Sequence, residues 1–299
     1  MRILVTGAAG FFGRHLCRHL QAAGEEVVGT GLGGEIAPPG VPLHTLDVRD
    51  AAAVAAVIHR VSPDAVLHLA ALSHVGDSWR RPDAYFQANV LGAEQVFAAA
   101  GRARVLFVSS AEVYGVVPDD EQPIDDDRPL APRSPYALTK ASAERLAVAG
   151  GAVVARCFNL LGPGQAPNFA LPSFAAQLAA IARGDREPVL RVGNLAARRD
   201  YVHVDDASEA LRVLLAHGEP ATTYNVASGE AHSIEELLER LRRLSGLDVR
   251  VESDPSLLRP IDTPLLCGRA SRLTQLGWSP RRSIDAALAE LWAEARERG

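Results

Sequence analysis

The sequence predicts an α/β protein in which a doubly wound parallel sheet is followed by a smaller second domain. In the first half of the chain, short continuously apolar segments alternate with longer amphipathic ones. Strands that are buried on both faces and connected by helices have this pattern. The predicted strands are residues 3–6, 27–30, 43–46, 65–69, 105–109 and 153–156, and the intervening helices include residues 13–23 and 83–100.

The alternation of strands and helices breaks down after Gly162, where a stretch rich in proline, glycine and asparagine begins. A helix at residues 205–216 has the pattern of one that packs on a sheet, so we expect the chain to return to the first domain there. The sequence therefore predicts a first domain of residues 1–161 and about 201–221, and a discontinuous α/β second domain of residues 162–200 and 222–299. The acidic segment 119–128 is typical either of a loop that covers an active site or of a solvated turn.

The composition excludes several classes of function. With 299 residues, 47% of them hydrophobic, the chain can bury a large core. Its net charge of −5 comes with scattered Lys and Arg residues, so we expect no nucleic-acid partner. We also expect no membrane association, because no apolar run approaches the roughly 20 residues that span a bilayer and the first residues lack the pattern of a secretory signal.

The cysteines point to a reducing compartment. Cys17, Cys157 and Cys267 are odd in number and lie far apart in apolar surroundings, so we expect buried thiols in a cytoplasmic protein. No spacing of His, Asp or Glu resembles a metal site, so no metal is expected.

The most specific local motif is a glycine loop between the first strand and the first helix, Gly7-Ala-Ala-Gly10-Phe-Phe-Gly13. Glycines permit a tight turn and a close approach of the backbone to a pyrophosphate, while the N–H groups and the dipole of the following helix attract negative charge. The strand–loop–helix context favours this interpretation over a purely structural turn. The loop, with Phe11 and Phe12 inside it, predicts a Rossmann-type domain that binds NAD or NADP.

The choice between these two cofactors stays open. A Rossmann-type domain that binds NAD usually has an acidic residue about 20 residues after the glycine loop, at the end of its second strand, where it binds the ribose 2′-hydroxyl. Residues 30–34 read Thr-Gly-Leu-Gly-Gly there and include neither an acid nor a cluster of arginines. Arg14 is a candidate for contact with a 2′-phosphate, although an arginine in a surface helix is more often simply solvated.

A second motif, Tyr136-Ala-Leu-Thr-Lys140, lies at the start of a predicted helix. A spacing of four residues places both side chains on one helix face, one turn apart. Because a neighbouring ammonium favours the phenolate, we expect Lys140 to lower the pKa of Tyr136 and to make it a usable acid or base. Ser110 ends the fifth strand, at the sheet edge where ligands bind, and its hydroxyl can orient a substrate oxygen beside Tyr136.

Together these motifs resemble the extended short-chain dehydrogenase/reductases, over essentially the whole chain. The resemblance rests on the glycine loop, His68-Leu-Ala-Ala71, Asn89, Ser109-Ser110, Tyr136-x-x-x-Lys140 and Arg156-Cys-Phe-Asn159. It implies that Ser110, Tyr136 and Lys140 carry out the proton transfer that accompanies hydride transfer. It also implies that the cofactor is contacted at its adenine by Asp47 and Val48, is backed by Leu69, Ala70 and Ala71, and lies in a site that Asn89 supports.

The second half resembles the branch of this family that acts on GDP-mannose derivatives, through Gly162-Pro-Gly-Gln165 and the segments 192–200 and 259–264. This resemblance implies NAD(P)H-dependent reduction of the 4-keto group of a GDP-4-keto-6-deoxyhexose, which gives GDP-rhamnose or GDP-6-deoxytalose. It further implies a substrate site in which the diphosphate is held by Arg199, Arg259 and Asn159, while Val192 packs on the base.

Two alternatives stay open. A GDP-mannose 4,6-dehydratase or a 4-epimerase recycles a tightly bound cofactor, and dehydration needs a further base, for which the resemblance offers Glu112. Alanine at position 111, where dTDP-glucose dehydratases have an aspartate, counts against that type, and the shortness of the chain favours the reductase. The other alternative is a non-catalytic NAD(P)-binding protein, since a fold alone does not fix a function.

Further expectations concern the surroundings of the site. His74 follows the fourth strand and is a candidate for a sugar contact, although a lone loop histidine is more often structural, and His203 is expected to be structural. The alanine-rich segments 87–100 and 136–149 either pack only on the sheet or also form the four-helix interface of a homodimer, as in relatives.

Overall fold

A computed structural model of the protein describes residues 1–258 and 261–297. Within them the strands are β1 (Arg2–Thr6), β2 (Glu26–Gly31), β3 (Leu43–Thr45), β4 (Ala65–His68), β5 (Arg104–Ser110), β6 (Val153–Cys157), β7 (Asn159–Leu161), β8 (Val189–Val192), β9 (Arg198–His203), β10 (Thr223–Val226), β11 (Ala231–Ser233), β12 (Arg250–Ser253) and β13 (Leu265–Leu266). A seven-stranded parallel sheet has the order β3-β2-β1-β4-β5-β6-β10. It contains every strand predicted for the first half of the chain, with ends that differ by one residue at most.

Helices cover both faces of this sheet, which confirms the predicted doubly wound α/β fold. Ile3 and Val5 pack with the helices Phe11–Ala22 and Val204–His217, whereas Leu4 between them packs with the helix Ala51–Val61, as the alternation of side chains along a strand requires. No helix in the described part of the chain has the length and apolar character needed to cross a bilayer. The helices of that part are α1 (Phe11–Ala22), α2 (Ala51–Val61), α3 (Val75–Ser78), α4 (Pro82–Phe86), α5 (Gly92–Ala99), α6 (Pro135–Ala149), α7 (Ala170–Ala182), α8 (Val204–His217), α9 (Ile234–Ser245), α10 (Ser271–Gln275) and α11 (Ile284–Glu297).

The predicted helix 83–100 is not continuous. A π-helical turn, Gln87–Leu91, separates α4 from α5 and carries Asn89. The buried Asn89 side chain exchanges hydrogen bonds of 2.8 and 2.9 Å with the backbone of Leu72 and donates to the Thr139 hydroxyl on α6 at 3.1 Å. Such turns often serve functional sites. This one fixes the loop after β4 against α6.

The second domain has its own sheets and core. β9 pairs with β7, β11 and β13, and β8 pairs with β12. Leu178 of α7, Leu237 of α9 and Leu288 of α11 are fully buried in one apolar cluster. This cluster forms the core of the second domain.

The predicted boundary of the second domain at residue 222 needs correction. β10 lies in the large sheet, where its residues pair with Val154 to Cys157 of β6. Trp278 is buried in the core of the first domain, and its Nε1 donates to the Asp206 carbonyl of α8 at 3.0 Å. These contacts return the chain to the first domain twice after residue 221, because a strand edge and a bulky indole both find apolar partners there.

The acidic segment 119–128 is not an active-site cover. Of the described residues that line the large cavity, none comes from this segment. The carboxylate of Asp126 accepts a hydrogen bond of 2.6 Å from the Asn225 N–H, and the Ile124 N–H donates to the Cys267 carbonyl at 2.8 Å. These bonds attach the segment to β10 and to the strand-like stretch after β13.

Candidate active site

A cavity of about 1180 Å³ lies at the carboxyl edge of the large sheet, with residues of the second domain in its wall. The loops after β1, β2, β4 and β5 contribute to it, as does the start of α6. Open parallel α/β sheets bind their ligands at this edge. The two motifs singled out in the sequence therefore meet in one cavity.

Glycines give the loop between β1 and α1 a shape that side chains would prevent. Gly7 has a φ of +70°, and a Cβ on Gly13 would lie 2.2 Å from the Gly7 carbonyl oxygen. A Cβ on Gly7 would lie 3.0 Å from the backbone of Ala70, so the loop also packs against the end of β4. Gly10 is the N-cap of α1 and has no side chain to occupy the first-turn N–H groups. Such a cradle at a helix N-terminus fits the pyrophosphate of NAD or NADP.

The wall behind the loop is fixed by Thr6. Its hydroxyl oxygen accepts hydrogen bonds of 3.2 Å from the N–H groups of Leu69 and Ala70, and it therefore donates its proton to Nδ1 of His68, 2.8 Å away. Burial lowers the pKa of His68 to about 3, so the ring is neutral and carries its proton on Nε2. Leu69, Ala70 and Ala71 line the cavity, as do Phe11 and Phe12.

The start of α6 brings Tyr136 and Lys140 to the cavity beside Ser110. Ser134 caps this helix by accepting a hydrogen bond of 3.1 Å from the Ala137 N–H. Tyr136 is 8% exposed and Lys140 4% exposed, and both line the cavity together with Ser110 at the end of β5. The helix cap thus sets the position of both side chains relative to the sheet edge.

The net lowering of the Tyr136 pKa that was expected from Lys140 is not found in this structure, because burial outweighs it. Burial raises the pKa of Tyr136, and its hydrogen bond with Ser110 opposes only part of that rise. Lys140 is itself buried, which lowers its pKa to about 8. Its Nζ donates to the Val108 carbonyl and lies 4.3 Å from the centre of the Phe107 ring. Tyr136 is therefore a neutral phenol near neutral pH, which suits it to donate a proton.

A buried ion pair lies behind Lys140, and the motifs gave no sign of it. Glu144 follows Lys140 by one turn of α6, and its carboxylate lies 2.5 Å from the Arg156 guanidinium of β6. The Ser109 hydroxyl donates to Glu144 at 2.8 Å, and Arg156 donates to the Tyr114 hydroxyl at 2.8 Å. The four-residue spacing from Tyr136 through Lys140 continues to Glu144, which is the signal that a reader of the sequence could have used.

Asp47 and Val48, predicted at the adenine, line the cavity beyond the glycine loop. Arg49 pairs with Asp47 through a fork of hydrogen bonds, and this interaction lowers the pKa of Asp47. Glu35, which no sequence pattern indicated, lines the same end of the cavity.

The predicted substrate residues have different surroundings. Asn159, at the start of β7, and Arg199, on β9, line the cavity. Arg199 is 5% exposed, and its guanidinium donates to the Asp262 carboxylate and to the Thr263 carbonyl, both at 2.6 Å. Arg199 therefore lines the cavity as one member of an ion pair and not as an unpaired cation. Arg259 lies outside the described residues.

Val192 does not have the position that was predicted for it. It is 2% exposed and packs in the core of the second domain. Side chains alternate along β8, so Arg191 is exposed and lines the cavity where Val192 was expected to do so. Arg191 is therefore a cavity residue that the sequence analysis missed.

The two histidines also differ. His74 lines the cavity, its Nε2 lies 3.1 Å from the Asn168 carbonyl oxygen, and its ring meets Phe169 edge to face, so it joins the two domains at the cavity mouth. His203 has the contacts of a structural residue, with Nε2 3.1 Å from the Glu290 carboxylate.

The three cysteines are buried and form no disulfide. Within residues 1–258 and 261–297, no group of His, Cys, Asp and Glu is arranged to hold a metal ion.

The sequence and the fold are similar to known proteins over essentially the whole chain. The family model described as GDP-mannose 4,6 dehydratase matches residues 4–291. The chain is 34% identical to GDP-6-deoxy-D-mannose reductase from Pseudomonas aeruginosa, and the alignment covers 99% of each protein. It is similar to the structure of RMD from Pseudomonas aeruginosa complexed with NADPH, with a TM-score of 0.89 and 32% identity over 100% of this chain and 99% of that one. UDP-glucose 4-epimerase from Thermus thermophilus, in complex with NAD, gives a TM-score of 0.89 and 31% identity over 99% of each chain.

Proposed function

The chain belongs to the GDP-mannose 4,6-dehydratase family of extended short-chain dehydrogenase/reductases, and from this premise we propose that it reduces the 4-keto group of a GDP-4-keto-6-deoxyhexose with NADH or NADPH. The products are GDP-6-deoxy-D-mannose, which is GDP-rhamnose, or its C4 epimer. The similarity to the Pseudomonas aeruginosa reductase over 99% of both chains supports the reductase within this family.

The observation that carries the proposal is the placement of a buried Tyr136 beside Ser110 in the cavity, since burial favours the protonated phenol. Reduction of a ketone places negative charge on its oxygen, and that oxygen must gain a proton. A buried phenol whose pKa is raised holds a proton until such a strong base appears. Lys140, charged below a pH of about 8, stabilises the phenolate that remains.

The residues act in a fixed order. When bound, the reduced nicotinamide supplies a hydride to the C4 carbonyl carbon. Ser110 donates a hydrogen bond to the carbonyl oxygen and so favours the charge that develops there. Tyr136 transfers its hydroxyl proton to this oxygen as the carbon–oxygen double bond becomes a single bond. The charge of Lys140 stabilises the resulting phenolate, and solvent then returns a proton to it.

A dehydratase is the second candidate, because Glu112 lines the cavity next to Ser110 and its carboxylate can act as the base that takes the C5 proton. Two incubations separate the reactions. With GDP-4-keto-6-deoxymannose and NADH or NADPH, a reductase oxidises the cofactor, so the absorbance of the reduced nicotinamide falls. Tyr136→Phe is expected to lower kcat by about 1000-fold while cofactor affinity is retained. Conversion of GDP-mannose to a keto sugar without added reductant would show the dehydratase instead.

For the nucleotide we propose GDP, bound along the second-domain wall by Asn159, Arg191 and the Arg199–Asp262 pair. A contact from Arg259 stays an expectation of the resemblance, because that residue lies outside the described ones. Guanidinium groups suit a diphosphate because they donate paired hydrogen bonds. A thermal-shift panel of GDP-, UDP-, dTDP- and CDP-sugars tests the base. GDP-sugars are expected to raise the melting temperature most, and a larger rise with another base would overturn this part of the proposal.

We also propose a cytoplasmic homodimer. Phe86, Leu91, Leu138 and Leu146 are between 40% and 58% exposed and lie on the helical segment 82–99 and on α6, which pack side by side. Two copies of this helix pair bury these side chains in a four-helix interface. The three buried thiols support a reducing compartment.

A further inference from the structure

Glu35 lies past the end of β2, yet its carboxylate returns to that strand end. Its Oε2 accepts a hydrogen bond of 2.9 Å from the Gly33 N–H. A Cβ on Gly31, the last residue of β2, would lie only 2.6 Å from the same oxygen. The loop through Gly33, which has a φ of +104°, makes this return possible. The Glu35 carboxylate therefore lies at the end of β2, where Gly31 itself has no side chain.

The position of Glu35 relative to the glycine loop defines what it can contact. Glu35, Gly31 and Leu32 line the same cavity as Gly7 and Gly10. In a Rossmann-type domain the adenosine ribose lies between the glycine loop and the end of the second strand. A carboxylate there can accept a hydrogen bond from the ribose 2′-hydroxyl.

The cations near this strand end are held by other partners. Arg14 is not among the described residues that line the cavity, and its guanidinium donates to the Ala9 carbonyl at 2.8 Å and to the Ile36 carbonyl at 2.6 Å. Arg14 thereby anchors the segment that carries Glu35. Arg49 lines the cavity, but its charge is paired with the Asp47 carboxylate. Neither arginine offsets the charge of Glu35 by a direct contact.

We propose that Glu35 makes the enzyme select NADH over NADPH, by accepting a hydrogen bond from the ribose 2′-hydroxyl and repelling a 2′-phosphate. This inference rests on the proposed use of a nicotinamide cofactor and adds the choice between the two. The Pseudomonas aeruginosa structure with the same fold is a complex with NADPH, the cofactor that this proposal disfavours in the present chain.

Cofactor titrations without any sugar test the selection. Binding of NADH and of NADPH is followed by nicotinamide fluorescence for the wild-type protein and for Glu35→Gln, which retains an oxygen to accept from the Gly33 N–H. Wild-type protein is expected to bind NADH at least about tenfold more tightly than NADPH, since like charges in contact are strongly disfavoured. In Glu35→Gln the ratio is expected to fall below about threefold, chiefly through tighter NADPH binding.

Glu26→Gln is the matched control. Glu26 starts β2 at the opposite end of the strand, where it pairs with Arg2 at 2.8 Å, and its substitution removes the same single charge. The control is expected to keep the wild-type ratio. Equal or tighter binding of NADPH by the wild-type protein, or an unchanged ratio in Glu35→Gln, overturns the inference.

These titrations are independent of the reaction. If the keto sugar is not reduced while NADH is still preferred, the proposed function fails and the role of Glu35 stands. If reduction proceeds equally well with both cofactors and both bind alike, the role of Glu35 fails and the proposed function stands.

Discussion

In the proposed mechanism Tyr136 and Lys140 divide the proton chemistry, because burial shifts their pKa values in opposite directions. Burial disfavours the charged form of each group, so it raises the pKa of the phenol and lowers that of the ammonium, here to about 8. Near neutral pH the tyrosine keeps its proton while the lysine keeps its charge. Both groups are then in the state that reduction requires.

The rate of reduction should depend on the ionisation of Lys140. Its pKa is lowered to about 8, so the ammonium is present below that pH and is lost above it. We expect kcat to be level near neutral pH and to fall as the pH rises through about 8, because the phenolate then lacks its neighbouring charge. Steady-state rates across this range test the expectation. In Lys140→Arg, whose guanidinium stays charged, the residual activity should show no such fall. A rate that rises through the same range would contradict this role.

Single residues differ in how far the sequence could place them. Gly7 and Ser110 lie at strand ends, which a parallel sheet brings together, and Tyr136 belongs to a recognisable motif at the start of a helix. Val192 was misplaced because the phase of its short strand relative to the cavity is set by packing in the second domain, which the residues do not encode locally. Glu35 escaped notice because only the path of its loop returns it to β2.

The glycine loop works as a rigid element because its own backbone fills the space that side chains would need. The Gly13 position is bounded by the Gly7 carbonyl and by the backbone of Ala8. The loop is also held against the end of β4 through Ala70. A displacement at any of these contacts moves the N–H groups that face the pyrophosphate.

Gly13→Ala is expected to abolish tight cofactor binding. The new Cβ would lie 2.2 Å from the Gly7 carbonyl oxygen, so the loop must shift, and we expect affinity for NADH to fall at least about tenfold. Fluorescence titration measures this loss. Gly150→Ala is the control, since Gly150 ends α6 with a φ of −83° and the nearest atom to its Cβ is 3.4 Å away. Wild-type affinity in Gly13→Ala would refute the steric account.

The buried pair of Glu144 and Arg156 joins α6 to β6 behind Lys140. Both side chains are less than a tenth exposed, and Ser109 and Tyr114 complete their hydrogen bonds. A buried charge whose partner is removed is strongly unfavourable. The pair therefore fixes the helix that carries Tyr136 and Lys140.

Glu144→Gln should cost about 3 kcal/mol of unfolding free energy, because it leaves the Arg156 charge buried without a counter-charge. Urea denaturation measures the change. Glu239→Gln breaks the exposed pair of Glu239 with Arg242 on α9 and should cost less than about 0.5 kcal/mol. Equal losses in the two variants would mean that burial does not strengthen the inner pair.

Elements of the first domain were predictable because strands buried on both faces are continuously apolar. The π-helical turn that holds Asn89 was not, since its side-chain bonds to Leu72 and Thr139 depend on tertiary contacts. β10 was assigned to the wrong domain for a similar reason. Its sequence indicates a strand, but only its pairing with β6 shows which sheet it joins.

The whole molecule places its two domains on either side of one cavity, and the helices beside that cavity also carry the exposed apolar surface. α6 holds Tyr136 and Lys140 on its inner side and exposes Leu138 and Leu146 on its outer side. In the proposed dimer, the interface would therefore cover the outer side of the helix that carries Tyr136 and Lys140.

Leu138→Glu is expected to dissociate the proposed dimer. Leu138 is 58% exposed, so the variant should fold, but a charge at the centre of an apolar interface should raise the dissociation constant at least about 100-fold. Size-exclusion chromatography with light scattering gives the molar mass. Leu244→Glu, an equivalent change at a 45% exposed leucine of α9, should leave the dimer intact. A wild-type protein that is monomeric at all concentrations would contradict the interface.

The reaction itself is tested most directly by following the hydride. GDP-4-keto-6-deoxymannose is incubated with the protein and NADH that carries deuterium at both C4 positions, and the sugar product is analysed by NMR and mass spectrometry. For a reductase we expect one deuterium at C4 of a 6-deoxyhexose and the oxidation of one NADH for each product formed. A product without deuterium, or conversion of the sugar without net oxidation of NADH, would show that the enzyme recycles its cofactor and is not a reductase.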